Sequence, residues 1–297
     1  MEAKVVTKYT YTFSPDNEPA ARFKRGEVFK LKAIDGFNNQ VVSQEQLVTE
    51  IDFSRLNPGT GPVYIEGAEP GDVLAVDILD ICLAEHGVTL TVPGLGPLHD
   101  RSEIRTRIIP VKDGMVVFND IEFPVEPMIG VIGVAPAEGS IPCGEIGFHG
   151  GNLDNKLIKK GARVYFPVNV PGALFHVGDL HAAMGDGEIC GIGVEIAGEV
   201  TVKADVIKGF SLERPMLETP DKWYTIANAV QYDDALRLAA QDMQRLIVNA
   251  YGWDATDAYL YMSIQGDVEI CQGCKPSAWN MTVRFGIPKI EDRPLIK

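Results

Sequence analysis

Imidazole and carboxylate side chains are concentrated between residues 149 and 199. Three of the five histidines fall in this segment: His149, His176 and His181. The acidic residues around them, most of them within glycine-rich turns, are Asp154, Asp179, Asp186, Glu188 and Glu195. Imidazole and carboxylate groups held on turns between strands are the ligands that a metal-assisted hydrolase requires. The segment therefore predicts a metal-assisted hydrolytic site.

The spacing within GDLH at 178–181 carries part of this prediction. Asp179 and His181 are two residues apart, so in an extended segment their side chains share a face. Both can then reach one ion, or Asp179 can orient the imidazole that binds it. A turn aspartate beside a structural histidine explains the same pattern, and the spacing alone leaves both interpretations open.

Two further acidic elements follow. In GDGE at 185–188, glycines flank Asp186 and Glu188 follows directly, so either carboxylate can act on a substrate or on a metal-bound water. Asp-Gly is also a common hairpin signal. Glu195 lies between Val194 and Ile196. If Glu195 is buried, its carboxylate needs a partner or a metal. Alternatively, strand alternation turns the side chain to solvent.

The fourth element is HGGNLD at 149–154. Its two glycines allow positive φ and close backbone approach. Asn152 and Asp154 are again two apart and can converge on one centre, although a plain Asx turn accounts for them nearly as well.

The elements that must position these side chains are mostly strands. Short β-branched or aromatic runs lie at 63–65, 73–82, 115–118 and 163–166, and residues 200–206 alternate between apolar and polar. A helix is predicted from a cap at Asp233 to Gly252, a second from Asp254 to about 263, and strands at 268–271 and 281–287. We expect a mainly β fold with residues 1–210 as a β-sandwich core that carries the site, and residues 211–297 as an α/β extension packed on it. The predicted boundary falls near 209–222.

Composition excludes several classes of function. The chain has 297 residues, 45% of them hydrophobic, and a net charge of −14, which disfavours nucleic acid and anionic membranes as partners. It has no apolar run of the length of a signal peptide or a membrane span, so we expect a cytoplasmic protein. Five cysteines fit no complete disulfide framework.

Several long motifs together resemble the acetamidase/formamidase family of amide hydrolases. They are HGGNLD at 149–154, GARVYFPV at 161–168, ALFHVGDLHAAMGDGE at 173–188, TGPVYIEGAEPGDVLAVDI at 60–78 and SRLNP at 54–58. The resemblance covers most of the chain in the same order. It implies a jelly-roll-like β-sandwich with smaller α/β additions that hydrolyses the C–N bond of short linear amides. Met184 replaces a polar residue of formamidase-like relatives, which favours the acetamidase-like branch.

The resemblance also implies site residues. It assigns the GGNLD turn and the GDLH and GDGE segments to a metal-bearing site, and we add Glu195 on physical grounds. The predicted metal ligands are Asp154, Asp179, His181 and Glu195. Glu188 or Asp186 is the predicted proton carrier, and Asn152, His149 and Gly151 are predicted to bind the substrate. Zinc is the first candidate metal, and calcium or manganese are the alternatives. His176 is taken as a core residue or as a support of the metal ligands, and a homodimer is expected.

Two other functions remain open from sequence. Cys143, near His149, could serve a thiol-dependent amidase, and a jelly-roll binding module could hold a structural metal in the acidic turns. Cys271 and Cys274 form a single CxxC, which supplies two of the four ligands of a structural zinc site, so we interpret them as inert thiols in a turn.

Overall fold

A computed structural model describes residues 3–296, with 39% of the chain in strands and 13% in helices. The strands are β1 (Val5–Val6), β2 (Tyr9–Thr10), β3 (Thr12–Phe13), β4 (Ala21–Phe23), β5 (Val28–Ala33), β6 (Gly59–Ile65), β7 (Val73–Leu83), β8 (His86–Leu90), β9 (Thr106–Lys112), β10 (Met115–Phe118), β11 (Ile121–Pro124), β12 (Met128–Gly133), β13 (Ile141–Pro142), β14 (Ile146–Gly147), β15 (Gly150–Asn152), β16 (Arg163–Pro167), β17 (Phe175–His181), β18 (Glu195–Ile196), β19 (Gly198–Ile207), β20 (Met216–Glu218), β21 (Lys222–Ala229), β22 (Asp267–Ile270) and β23 (Met281–Pro288). The helices are α1 (Tyr232–Tyr251) and α2 (Ala255–Gln265), and single 3₁₀ turns lie at Val48–Glu50 and Phe53–Arg55. The prediction of a mainly β fold with a smaller C-terminal α/β part is confirmed.

Two large sheets share one core. The nine-stranded sheet runs β1-β5-β19-β7-β16-β20-β21-β23-β22. The second sheet has twelve strands, nine of which run in the order β11-β10-β9-β8-β18-β17-β12-β15-β14, while β6 pairs with β17 and also with β2 and β4. Side chains of the first, such as Leu31 and Val76, pack with side chains of the second, such as Ile129 and Val177. The shared core makes the arrangement a β-sandwich.

Strand β19 shows how the sequence pattern produces this packing. Val200, Val202, Ala204 and Val206 are buried, while the residues between them are partly exposed, as the predicted alternation requires. Side chains of a strand point to opposite faces in turn, so an apolar residue at every second position gives one face to the core.

The C-terminal region extends the nine-stranded sheet and covers one of its faces. Helix α1 buries Ala239, Met243 and Leu246 in a cluster that also contains Val73 and Tyr165 of the preceding region. A single sheet therefore crosses the predicted boundary near 209–222. Among the described residues, no helix is long and apolar enough to cross a membrane.

The helix ends follow the predicted signals with one exception. Gly252 closes α1 in the left-handed conformation, and the Asp254 side chain caps α2 by accepting hydrogen bonds from the amides of Thr256 and Asp257. The predicted cap of α1 is wrong: the helix begins at Tyr232 with Gln231 as its N-cap, two residues before the predicted cap, and Asp233 lies in its first turn. A carboxylate there still interacts favourably with the helix dipole.

Candidate active site

Strand β17 is buried along its whole length and supplies two of the chemistry-bearing side chains, Asp179 and His181. Its neighbour β18 places Glu195 directly opposite His181 in the antiparallel register. The His181 Nε2 atom lies 3.1 Å from Glu195 Oε1 and 3.7 Å from Asp179 Oδ2. The strand register thus brings three ionisable groups together, and the burial of Glu195 excludes the alternative that strand alternation turns it to solvent.

Two more carboxylates complete what we call the carboxylate cluster: Asp154, Asp179, His181, Glu188 and Glu195. Ligand atoms of Asp154, His181 and Glu188 lie within 4.8 Å of one another, and so do those of Asp179, His181 and Glu195. His181 belongs to both groups, and all five side chains are buried. The cluster opens on a cavity of about 450 Å³, which Asn152 and Gln272 also line.

Three of the four acidic residues of the carboxylate cluster have a left-handed backbone conformation. The φ angle is 41° at Asp154, 52° at Asp179 and 39° at Glu188. Residues other than glycine rarely adopt this conformation, which costs on the order of 1–3 kcal/mol unless the surroundings impose it, and such residues gather at functional sites. The backbone is therefore strained where the acidic side chains converge.

Two glycines leave the space that the cluster occupies. A Cβ atom on Gly36 would lie 2.1 Å from Asp179 Oδ1 and 2.5 Å from Glu195 Oε2. A Cβ atom on Gly130, in the neighbouring strand β12, would lie 2.6 Å from Asp179 Oδ2 and 2.7 Å from Asp154 Oδ1. Real Cβ atoms do not approach oxygen so closely, so any larger residue at either position displaces a carboxylate.

Burial and mutual repulsion make the cluster electrostatically costly. Burial and the charges of neighbouring acids raise the pKa values of Asp154 and Glu195 well above the usual range, and burial raises the pKa of Glu188 to about 7. Although burial disfavours its charge, the carboxylates of Glu195 and Asp179 raise the pKa of His181 well above its usual value. Burial also disfavours the charge of Asp179, but the nearby imidazole of His181 lowers the pKa of Asp179 overall.

The donor atoms fit a divalent cation. Asp154 Oδ1 and Glu195 Oε2 are buried without a hydrogen-bond partner among the described residues, and His181 Nε2 faces Glu195 and Asp179 without an aligned hydrogen bond. Buried polar atoms are nearly always satisfied, so several orphans pointing at one centre call for a ligand. Carboxylate and imidazole ligands suit zinc and manganese, and a positive ion offsets the repulsion among the acids.

Glu188 is held by a residue that sequence reasoning missed. Gln272 Nε2 donates to Glu188 Oε2 at 2.6 Å, and Gln272 Oε1 accepts from the Cys274 amide at 2.7 Å. The amide of Gly187 donates to the carbonyl of Cys271, and the amide of Gly273 donates back to the carbonyl of Gly187. The CxxC segment therefore positions Glu188 through its backbone and its glutamine. No local pattern in the sequence signals this pairing across 84 residues.

The two thiols of this segment are free and buried. Burial raises the pKa of Cys271 to about 12 and that of Cys274 to about 11. Thiols with such pKa values stay protonated at neutral pH, which agrees with the interpretation that they are inert.

Asp186 lies apart from the cluster. Its carboxylate accepts two hydrogen bonds from Arg284, at 2.9 and 2.7 Å, and pairs with Lys156 at 2.8 Å. Although partial burial opposes them, these cations lower the pKa of Asp186. The side chain lines a neighbouring, more open cavity, so of the two predicted proton carriers the structure brings only Glu188 to the cluster.

Of the three predicted substrate-binding residues, only one lines the cavity. Asn152 lines the cavity, donates from Nδ2 to Asp154 Oδ2 at 2.7 Å and leaves its Oδ1 without a partner. His149 is fully buried against Phe13 and Phe148, outside the cavity lining. Gly151 is paired with Ile132 of β12 and serves as backbone of the sheet. Only Asn152 is therefore placed where a substrate would lie.

Cys143 lies in the cavity wall but is poorly suited to nucleophilic attack. It is 1% exposed, and burial raises its pKa to about 12. Catalytic cysteines depend on a lowered pKa, which a nearby cation or a helix N-terminus supplies. Burial lowers the pKa of His149 to about 4, so this imidazole supplies no positive charge at neutral pH. The surroundings of Cys143 thus disfavour the thiol-dependent alternative.

Comparison with known proteins agrees with the motifs and the geometry. The chain matches the Acetamidase/Formamidase family over residues 5–142 and 139–270. It is 28% identical to a formamidase of Methylophilus methylotrophus, over 74% of this chain and 72% of that protein. The matches cover 63% to 72% of the length of the curated relatives, so the chain spans about two thirds of those proteins.

Solved structures of the same family superpose on almost the whole chain. A predicted acetamidase/formamidase of Thermoanaerobacter tengcongensis has a TM-score of 0.93 and 44% identity, over 96% of this chain and 95% of that one. An acetamidase of Bacillus halodurans has a TM-score of 0.92 and 40% identity, over 96% of this chain and 97% of that one. With this extent of match in sequence and structure, the chain belongs to the acetamidase/formamidase family.

Proposed function

We propose that this protein hydrolyses the C–N bond of short linear amides to a carboxylate and ammonia, using water activated at the carboxylate cluster. The observation that carries the proposal is the convergence of five buried ionisable side chains, several with unpartnered ligand atoms, at one cavity. Relatives named formamidase and acetamidase support the choice of substrate. Assignment to the acetamidase-like branch stays a prediction, because relatives of both names match the chain.

Asp154, Asp179, His181 and Glu195 would hold a divalent metal ion, and Glu188, which has a carboxylate oxygen within 4.8 Å of ligand atoms of Asp154 and His181, would lie beside it as the proton carrier. Zinc is the first candidate, and calcium or manganese are the alternatives. A bound zinc ion would supply hydroxide at neutral pH, since zinc can lower the pKa of a bound water from 15.7 to about 7.

The protein's own groups orient the amide and move the proton. Glu188 lines the cavity, and its raised pKa of about 7 suits a group that takes a proton from water and returns it to the departing nitrogen. Gln272 fixes one oxygen of that carboxylate. The unpartnered Oδ1 of Asn152 can accept a hydrogen bond from the substrate N–H₂ group.

Ammonia release from acetamide and formamide, combined with elemental analysis of the purified protein, tests the proposal. We expect ammonia release, bound metal, and loss of activity on dialysis against a chelator that is reversed by adding one divalent metal back. Glu188→Gln should keep the metal and lose turnover at least about 100-fold, in the range of general acid–base catalysis. Absence of ammonia release with metal bound would leave the binding-module alternative.

The thiol alternative has its own test. Cys143→Ala should change ammonia release by less than about threefold, because the thiol stays protonated and takes no part in the reaction. Inactivation by iodoacetamide that substrate prevents, together with indifference to chelators, would favour a covalent thiol mechanism instead.

The assembly and the location of the protein are also proposals. We propose a homodimer, since two-fold dimers are the commonest assemblies of soluble enzymes, and a cytoplasmic location. Light scattering on the purified protein measures the assembly directly, and cell fractionation locates the protein.

A further inference from the structure

The cavity at the carboxylate cluster is much larger than a short amide. Its volume is about 450 Å³. A water molecule takes up about 30 Å³ in the liquid, so the four heavy atoms of acetamide need roughly 120 Å³. Ligand pockets of about 300–1,000 Å³ are typical of sites that hold molecules with one or more rings. Acetamide or formamide would therefore leave most of this cavity filled with water.

The remaining wall is mostly apolar, with Ser54 and Asn57 as polar exceptions, and much of it is backed by a hydrophobic cluster. The apolar side chains that line it include Phe37, Val48, Leu56, Val92, Ile192 and Trp279. Phe37 and Val48 belong to a separate hydrophobic cluster, against which Leu56, Val92 and Ile192 pack. A wall with its own core behind it holds a fixed shape, and contact with an apolar group releases water from both surfaces.

The charged side chains among the described residues that line the cavity are all acidic. Asp154, Asp179, Glu188 and Glu195 line the cavity, and no lysine or arginine is among the described residues that do so. Four carboxylates outnumber the two charges of one divalent ion, so an anionic substituent would still meet a net negative lining, with no lysine or arginine among the described lining residues to offset it. Like charges placed together oppose binding, so the lining selects against acidic amides.

We propose that the preferred substrates of this site are uncharged amides that carry one apolar group of about the size of a phenyl ring, seated against the wall at Leu56. The proposal rests on the amide hydrolysis proposed above and deepens it. The amide group lies at the carboxylate cluster and the apolar group fills the space that acetamide leaves to water.

A substrate series tests the size of the group. We expect kcat/KM for phenylacetamide to exceed that for acetamide at least about tenfold, since one methylene in a fitted apolar pocket already discriminates by about 10-fold to 200-fold. N-benzylformamide, measured as formate release, shows whether the ring is accepted on the nitrogen side instead. A preference for either ring-bearing amide supports the proposal.

A variant that fills the cavity tests its location. Leu56 is partly buried in the cavity wall, and Leu56→Trp occupies the space assigned to the apolar group. The ratio of kcat/KM for phenylacetamide to that for acetamide should fall at least about tenfold. Leu260→Trp, at a 55% exposed position on α2, is the matched control and should leave the ratio as it is in the parent protein. An unchanged ratio in Leu56→Trp would place the apolar group elsewhere and overturn the assignment.

Charge is tested with a pair of amides of equal size. Succinamate and 4-methylpentanamide differ in a carboxylate against an isopropyl group, and we expect the uncharged amide to be hydrolysed at least about tenfold faster at low concentration. Equal or faster hydrolysis of succinamate overturns the selection for uncharged amides.

The outcomes separate this proposal from the proposed function. Hydrolysis of acetamide or formamide at least as fast as that of both ring-bearing amides overturns the inference and leaves amide hydrolysis standing. Failure to hydrolyse any amide, with metal bound, overturns both.

Discussion

The two histidines of strand β17, His176 and His181, lie in opposite chemical surroundings. At the acidic end, His181 is enclosed by carboxylates that raise its pKa well above the usual value, against the effect of burial. At the aromatic end, His176 packs edge-on against Phe13 at 4.9 Å, as His149 does on the same ring, and burial lowers the pKa of His176 to about 3. The same residue type on one strand is therefore a candidate metal ligand at one end and a neutral core residue at the other. The side chains that surround a histidine, more than its depth, decide which of these it becomes.

The largest expected effect comes from the acidic end. His181→Ala removes the only imidazole of the carboxylate cluster, and with it the side chain that both groups of ligand atoms share. We expect metal content to fall below one tenth of the parent value and ammonia release to fall at least about 1,000-fold, since hydroxide is no longer supplied. His99→Ala, at an exposed position, is the control. Full activity of a metal-free His181→Ala protein would contradict the proposed chemistry.

Gly36 provides a second way to disturb the acidic end without removing an ionisable group. In Gly36→Ala the new Cβ atom must displace the carboxylates of Asp179 and Glu195. We expect metal affinity to fall about 10-fold to 100-fold, the range seen when the supports of metal ligands are lost. Gly185→Ala, where a Cβ atom would meet nothing within 4 Å, is the matched control. Isothermal titration of the chelator-treated proteins with zinc measures both.

Gln272 tests whether Glu188 needs external support. Gln272→Ala removes the hydrogen bond to Glu188 Oε2 and leaves the ligand atoms in place. We expect kcat to fall about tenfold while metal content stays at the parent level. Gln272→Glu, which keeps the size of the side chain and adds a repelling charge, should lower kcat further. Parent-like kcat in both variants would show that Glu188 holds its position unaided.

The smallest effect belongs to the aromatic end and appears in stability. The unfolded chain binds a proton at His149 near pH 6.5, whereas the folded protein binds it only near pH 4, because burial disfavours the charge. Between these values the unfolded state holds more protons, so stability falls as the pH falls, by about 1.4 kcal/mol per pH unit for one such group. His149→Phe should reduce this slope in urea unfolding between pH 6.5 and 5, with metal binding unchanged. His99→Phe, at an exposed position, is the matched control.

Elements with a local pattern could be predicted from the sequence. The alternation of β19 and the capping of α2 by Asp254 depend on neighbouring residues, and both are present in the structure. The pair formed by Asp179 and His181 follows from a two-residue spacing on one strand. For Glu195 the sequence left open whether the side chain is buried or exposed. Strand alternation could not decide this, since both residues of β18 are buried.

Contacts between distant segments could not be predicted in this way. Gln272 meets Glu188 across 84 residues, and Arg284 meets Asp186 across 98 residues. Arg284 explains why Asp186, which the GDGE turn made equivalent to Glu188, takes no place in the cluster. Gly36 and Gly130 leave space for the carboxylates because they have no side chain. Sequence patterns of ionisable or nucleophilic residues do not identify such positions.

The segment that holds Glu188 and its turn is synthesised well after the residues that it supports. Gln272 follows β22, and Arg284 lies on β23. Because chains are made from the N-terminus, a growing polypeptide already contains all five members of the carboxylate cluster before it contains the residues that fix one of them. The predicted proton carrier is therefore fixed in place only after the cluster itself has been synthesised, and a chain truncated before Gln272 should hydrolyse amides more slowly than the parent protein.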